Sequence, residues 1–216
     1  MFIGHYGLAF MIKKKFREIP LWFVFLTVQL TDIVAFILVF LGLERAVYRQ
    51  SANPFFRNDL DLPYSHSLIG SILLAGILYA ILILAKQKSW ALIGALGVLS
   101  HWLIDFIVHT PDLSLFFGYM KTGLGLWNYP TLSFGIEIIL VCAGWLILGY
   151  RNGASFLLLF LLLGSFSGMF FGREPEAIKN SQVIRTAIVL IPTLLFIGLA
   201  YVSERNERKK RRGERI

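Results

Sequence analysis

Charge is scarce in this chain of 216 residues: Asp, Glu, Lys and Arg together make up 16%, against roughly 25% in an average soluble domain. A water-facing surface needs more charge than that, so lipid has to cover much of the exterior. There is one cysteine, Cys142, which excludes an intrachain disulfide and a cysteine-based zinc cluster. No internal repeat, low-complexity linker or polar stretch of domain length interrupts the sequence. Histidine is almost as rare as cysteine, with four in all. What the chain does have is apolar surface: 56% hydrophobic residues, with aromatics at 15%. That composition excludes intrinsic disorder and a collagen-like repeat.

Six stretches approach the roughly 20 apolar residues that a bilayer crossing requires. They run over 21–43, 67–85, 90–109, 132–149, 154–172 and 183–202. A shorter apolar segment, 2–12, precedes the run Lys13-Lys14-Lys15. Its charge follows the apolar part instead of leading it, so it reads as a half-membrane helix and not as a secretion signal. The expected fold is therefore all-α: a polytopic membrane helix bundle of about six transmembrane helices plus an N-terminal half-membrane helix. Residues 1–202 form a single integral membrane domain, and 203–216 form a basic cytoplasmic tail.

The net charge of +8 is concentrated beside the apolar stretches. With six spans, one side of the membrane carries fourteen basic residues and the other six, with Arg185 near the start of the last span left over. Basic loops stay in the cytoplasm, which places both termini there. The tail, with seven basic and three acidic residues, suits anionic lipid. It has no aromatic interleaving or binding motif, which argues against nucleic acid as a partner. Spans five and six read as scaffold. Gly164 and Gly168, with Ser165 and Ser167, offer a small-residue face for close helix packing, and Pro192 is placed to kink the last span.

The few polar residues fall where lipid-facing sequence should exclude them. His5, His66, His101 and His109 each lie inside or at the mouth of an apolar segment, and Asp32, Asp105 and Glu137 lie within spans. A buried carboxylate costs several kcal/mol unless paired, so such residues mark function. His101, Asp105 and His109 are spaced four and four apart. At about 100° per residue they share one helix face and stack over roughly 12 Å. His66 opens span two on the same side as the His109 end of span three, while His5 and Asp32 lie at a comparable depth. One pocket can gather them, and histidine with carboxylate is the donor set of a divalent cation. His109 and Asp112 are expected at the pocket mouth, as supporting or substrate-contacting groups. The glycine- and aromatic-rich stretch 112–130 is expected to pack over the site, offering Lys121 or Asn128 to a phosphate or carbonyl.

The blocks Gly4-His5, Tyr64-Ser65-His66-Ser67 and Leu99-Ser100-His101-Trp102-Leu103-Ile104-Asp105, with Asp32 in the first span, resemble the membrane-bound, metal-dependent hydrolase-like proteins. These are also called the LexA-binding, inner-membrane-associated hydrolase family. A bacterial subgroup of multispan proteins is more similar still, through Gly123-Leu124-Gly125-Leu126-Trp127-Asn128 and the stretch from His101 to Asp112. The resemblance covers about the first 130 residues. It implies metal ligands at His5, Asp32, His66, His101 and Asp105, and a place in the bacterial cytoplasmic membrane. Two of the family's ligands are missing: Thr31-Asp32-Ile33-Val34 stands in place of an Asp-x-Asp-His block, and Pro63-Tyr64-Ser65-His66-Ser67 in place of a longer histidine block.

With no cysteine cluster, Zn²⁺ is the leading cation, with Mn²⁺ or Fe²⁺ as alternatives. A cation with an open position would support hydrolysis, with Asp105 or Glu137 as the base. In a bilayer the substrate would be a lipid or another membrane-resident molecule. Two other classes fit the composition: an ion or small-solute transporter using its intramembrane His and Asp residues, and a non-catalytic protein in which the site staples helices.

Overall fold

A computed structural model describes residues 1–173 and 175–213. The chain is mostly helical, and its elements follow the apolar runs. Helix α1 (Gly4–Lys15) is followed by α2 (Leu21–Val28) and α3 (Leu30–Phe40). Next come strands β1 (Arg45–Tyr48) and β2 (Asn58–Asp61), then α4 (Leu68–Leu84) and α5 (Lys88–Val108). Strands β3 (Leu113–Phe116) and β4 (Tyr119–Thr122) precede α6 (Pro130–Leu148), α7 (Gly153–Phe171), α8 (Glu176–Asn180) and α9 (Gln182–Arg211). Among the described residues four helices (α5, α6, α7 and α9) are long and apolar enough to cross a membrane, or five spans if α2 and α3 are taken as one. Apolar side chains such as Leu84, Phe160, Phe40 and Ile191 point outward, as they do where lipid replaces water. This is a membrane protein.

Two expectations need correction, and one feature was not foreseen. The first span is not continuous: α2 and α3 meet at Gln29 with a bend of 52°. The unforeseen feature is a pair of antiparallel two-stranded hairpins, β1–β2 before α4 and β3–β4 after α5. Four-residue strands such as Leu113-Ser114-Leu115-Phe116 are too short to show a clear alternation. Finally, Gly164 and Gly168 do not mediate close packing, since no neighbouring atom comes within 4 Å of where a Cβ would sit at either.

The close approach occurs elsewhere, between α1 and α6. A Cβ on Gly144 would stand 2.3 Å from the carbonyl oxygen of Gly7, and one on Gly7 would meet Leu140 O at 2.5 Å. Only glycine lets these two backbones touch. Helix α1 is thereby drawn into the centre of the bundle, where His5, Ala9 and Phe10 are buried. Its first turn is held by Glu137 of α6, whose Oε2 accepts from the backbone N–H of Phe2, Ile3 and Gly4 at 2.8, 2.7 and 3.1 Å. These are donors that a helix cannot satisfy from within, and the negative charge complements the helix dipole.

The other end of α1 is fixed as firmly. Lys13 Nζ donates to Arg17 O, Ile19 O and Glu204 Oε1 at 2.6–2.7 Å. Glu204 Oε2 also accepts from Leu21 N, and its Oε1 from Arg208. Helix α9 runs past residue 202 to Arg211 and packs Glu204 and Glu207 inward. Of the expected tail, residues 214–216 lie outside the described part of the chain.

Candidate metal centre

The bend at Gln29, the buried α1 and the turn before α4 bring together side chains that are far apart in sequence. His5 comes from the first turn of α1, Asp32 from the first turn of α3, and His66 from the residue before the Ser67 cap of α4. His101 and Asp105 lie one turn apart on α5. Asp105 is the hub. Its Oδ1 lies 3.2 Å from His5 Nε2, and its Oδ2 lies 3.1 Å from His101 Nε2 and 3.8 Å from His66 Nε2. Asp32 Oδ1 reaches His66 Nε2 at 3.2 Å and His101 Nε2 at 3.6 Å. The Met1 amino group also contacts Asp105 Oδ1. The His5 and His101 rings stack with centroids 4.0 Å apart.

Part of this set is left without a hydrogen bond. Among the described residues neither nitrogen of His5, nor Nε2 of His101, makes a hydrogen bond, although both residues are buried and two of these nitrogens lie at ion-pair distance from Asp105. Buried polar atoms are normally satisfied, and a shared cation would satisfy Nε2 of both rings together. Two three-residue groups have ligand atoms within 4.8 Å of one another and could hold one: His5, His101 and Asp105, and Asp32, His66 and His101. Both contain His101. All five residues named by the sequence blocks are thus brought to one place.

The rings are oriented from behind. Nδ1 of His101 donates to the carbonyl of Val28 at 2.6 Å. Val28 ends α2, where the last carbonyls lack helical partners. That bond leaves the Nε2 lone pair facing the cluster. His66 is set by a relay that the sequence blocks did not point to. Glu44, 1% exposed, accepts from the N–H groups of Tyr64 and Ser65 at 2.9 and 2.8 Å, and from the Ser65 hydroxyl at 2.7 Å. With its proton committed to Glu44, the Ser65 oxygen accepts from His66 Nδ1 at 2.9 Å. His66 Nε2 is then the unprotonated nitrogen, turned toward the cluster 3.2 Å from Asp32 Oδ1. In the sequence, Glu44 looks like an ordinary loop acid after an apolar run. The only signal was the serine beside His66.

The remaining sequence candidates fall into two groups. His109 and Asp112 pair at 3.0 Å between Nδ1 and Oδ1, and the His109 ring rests on Trp127 with centroids 4.1 Å apart. His109 and Asp112 line two clefts, a small one shared with His66 and Lys121 and a larger one of about 360 Å³ that reaches Asn128. The stretch 112–130 does pack inward: Trp127 is buried, and Leu124 N and Gly125 N donate to the carbonyls of Phe106 and His109. Gly123 is needed there, since its φ is +151° and a Cβ would meet the His109 carbonyl at 2.4 Å. Glu137, the second carboxylate expected as a base, is engaged in holding α1. It sets where His5 sits but is not one of the converging donors.

A cavity of about 110 Å³ borders the cluster. Asp32, His66, Asp105 and His109 supply its polar side, and Phe2, Phe55 and Trp127 form an aromatic floor. The Phe55 and Trp127 rings are stacked 5.5 Å apart. The chain matches no family model, curated protein or solved structure, so the functional reading rests on this geometry.

Proposed function

We propose that the chain is a membrane-embedded, metal-dependent hydrolase of a lipid or other membrane-resident substrate, placed in a bacterial cytoplasmic membrane with both termini inside. In this reading α4, 17 residues long, and the bent α2–α3 pair complete six crossings. One observation carries the reading: three histidines and two aspartates converge, with both His5 nitrogens and Nε2 of His101 buried and without a hydrogen bond among the described residues. The donor set fits Zn²⁺, with Mn²⁺ or Fe²⁺ as alternatives. Such a cation supplies an acidified water and an electrophile for a carbonyl or phosphoryl oxygen. The residues do the rest. His5, Asp32, His66, His101 and Asp105 would hold the ion, and Asp105, reached by all three rings, would take the proton from water. His109, with Nδ1 paired to Asp112, would serve the leaving oxygen with its other nitrogen. The aromatic floor and the buried α1 keep bulk water out.

The test is turnover. Purified protein supplied with Zn²⁺ is incubated with a panel of lipid esters and phosphoesters in mixed micelles. The expected result is chelator-sensitive product formation that Asp105→Asn abolishes. Metal- or proton-coupled flux in sealed vesicles, with no product from any lipid, would replace hydrolysis with transport.

A further inference from the structure

The cavity beside the cluster has a second polar end, contributed by α9. Arg185 and Thr186 line it together with Asp32, His66 and Asp105. Their height follows from two contacts. The Gln182 side chain donates to Val39 O at 2.8 Å, while Leu21 N donates to Glu204 at the other end of α9. Helix α9 therefore runs antiparallel to the α2–α3 pair. Arg185, three residues below Gln182, stands near the level of Phe36, one turn from Asp32, which is roughly 6 Å along the axis. Phe36, Val39 and Val189 make the wall beside these polar groups apolar.

Arg185 is 8% exposed, donates to the carbonyl of Lys179 at 2.8 Å and lies over the Tyr48 ring. Beside it, the Thr186 hydroxyl is buried with no hydrogen-bond partner. A neutral ester carbonyl would need neither a second cation nor a second hydroxyl. A phosphate needs both, because its charge is spread over several oxygens and guanidinium matches that geometry.

We infer that Arg185 and Thr186 form a phosphate-binding pole, and that the substrate is a membrane lipid bearing a phosphomonoester head. The inference rests on the hydrolase reading of the cluster. The cavity, about 110 Å³, has room for a phosphate head, with the lipid chain leaving past Phe36, Val39 and Val189 toward the bilayer. In the reaction the water oxygen bonds to phosphorus and the bond from phosphorus to the lipid oxygen breaks. Asp105 takes one proton of the water, and His109, entering the step as imidazolium paired with Asp112, gives its Nε2 proton to the departing oxygen and is left neutral. The products are a lipid alcohol and inorganic phosphate.

The probe is hexadecylphosphonate, whose carbon–phosphorus bond does not hydrolyse, titrated into metal-free protein in detergent. Hexadecanol and methylphosphonate serve as controls, and Zn²⁺ uptake is measured separately. Hexadecylphosphonate should bind at least ~10-fold more tightly than either control. Arg185→Gln should remove that advantage, Thr186→Val should reduce it several-fold, and Arg185→Lys should keep most of it, all with Zn²⁺ uptake unchanged. Equal phosphonate binding by wild type, Arg185→Gln and Thr186→Val would overturn the pole. Methylphosphonate binding as tightly as the long-chain probe would overturn the lipid substrate in favour of free phosphate. Failure of the chain to take up Zn²⁺ would instead remove the hydrolase reading, while the phosphonate titration on metal-free protein would still decide the pole.

Discussion

The Nδ1 of His101 lies 2.6 Å from the carbonyl oxygen of Val28, so the bend between α2 and α3 fixes the ring at the centre of both donor groups. Removing that ring should empty the site. His101→Ala is expected to lose most bound Zn²⁺ while still inserting into membranes at normal levels. Metal analysis of the purified variant against wild type checks this.

Glu44 acts on the site only through Ser65 and His66, so it is a positioning residue. Partners behind a metal-bound histidine are typically worth about 10- to 100-fold in metal affinity. Glu44→Gln and Ser65→Ala should each weaken Zn²⁺ binding at least ~10-fold in chelator competition. Glu44→Asp should recover part of the loss. Unchanged affinity in both Glu44→Gln and Ser65→Ala would show that the relay does not set the His66 ring.

Much of the site is legible in the sequence, because ionisable residues in apolar runs are few and costly to bury. His101 and Asp105 share a face by spacing alone, and His5, Asp32 and His66 fall at matching depths. What could not be read depends on tertiary contact. Gln29 gives no sign that the run 21–43 bends, and Gly7 and Gly144 look no different from Gly164 and Gly168. Glu44 becomes special only when the chain folds it under the Tyr64–Ser65 backbone. Glu137 looked like a base because it lies in a span, but three backbone amides claim it. Of the helices, α4 through α7 end within two residues of the apolar runs that announced them, while α9 overshoots because its charged end has Lys13 to pair with.

The place of Glu137 leads to a stability effect distinct from a loss of chemistry. Glu137→Ala leaves the N–H groups of Phe2, Ile3 and Gly4 without their acceptor, at a cost of about 3 kcal/mol. Thermal unfolding in detergent should shift downward and metal affinity should fall with it. Glu137→Gln keeps an acceptor oxygen and should retain more of both. A Glu137→Ala variant with wild-type stability and no activity would restore the catalytic-base role.

The buried pair of Lys13 and Glu204 is expected to behave asymmetrically. Breaking it from one side, with Lys13→Met or Glu204→Gln, leaves an uncompensated group and should destabilise by about 3–5 kcal/mol. The double variant should recover part of that loss. Thermal unfolding of the three variants forms a cycle that reads the coupling directly.

Gly144→Ala should cost at least ~2 kcal/mol by pushing α6 off the Gly7 backbone. The same change at Gly164 or Gly168, where the Cβ meets open space, should be close to neutral. Thermal unfolding of the three single variants checks the ranking.

The most direct test of the central claim is the metal content of purified protein, by elemental analysis after Zn²⁺ loading and removal of excess, for wild type, His66→Ala and His101→Ala. The expected result is about one tightly held divalent cation per chain in wild type and a steep loss in both variants. Wild-type protein that holds no cation, or both variants retaining it stoichiometrically, would contradict the account.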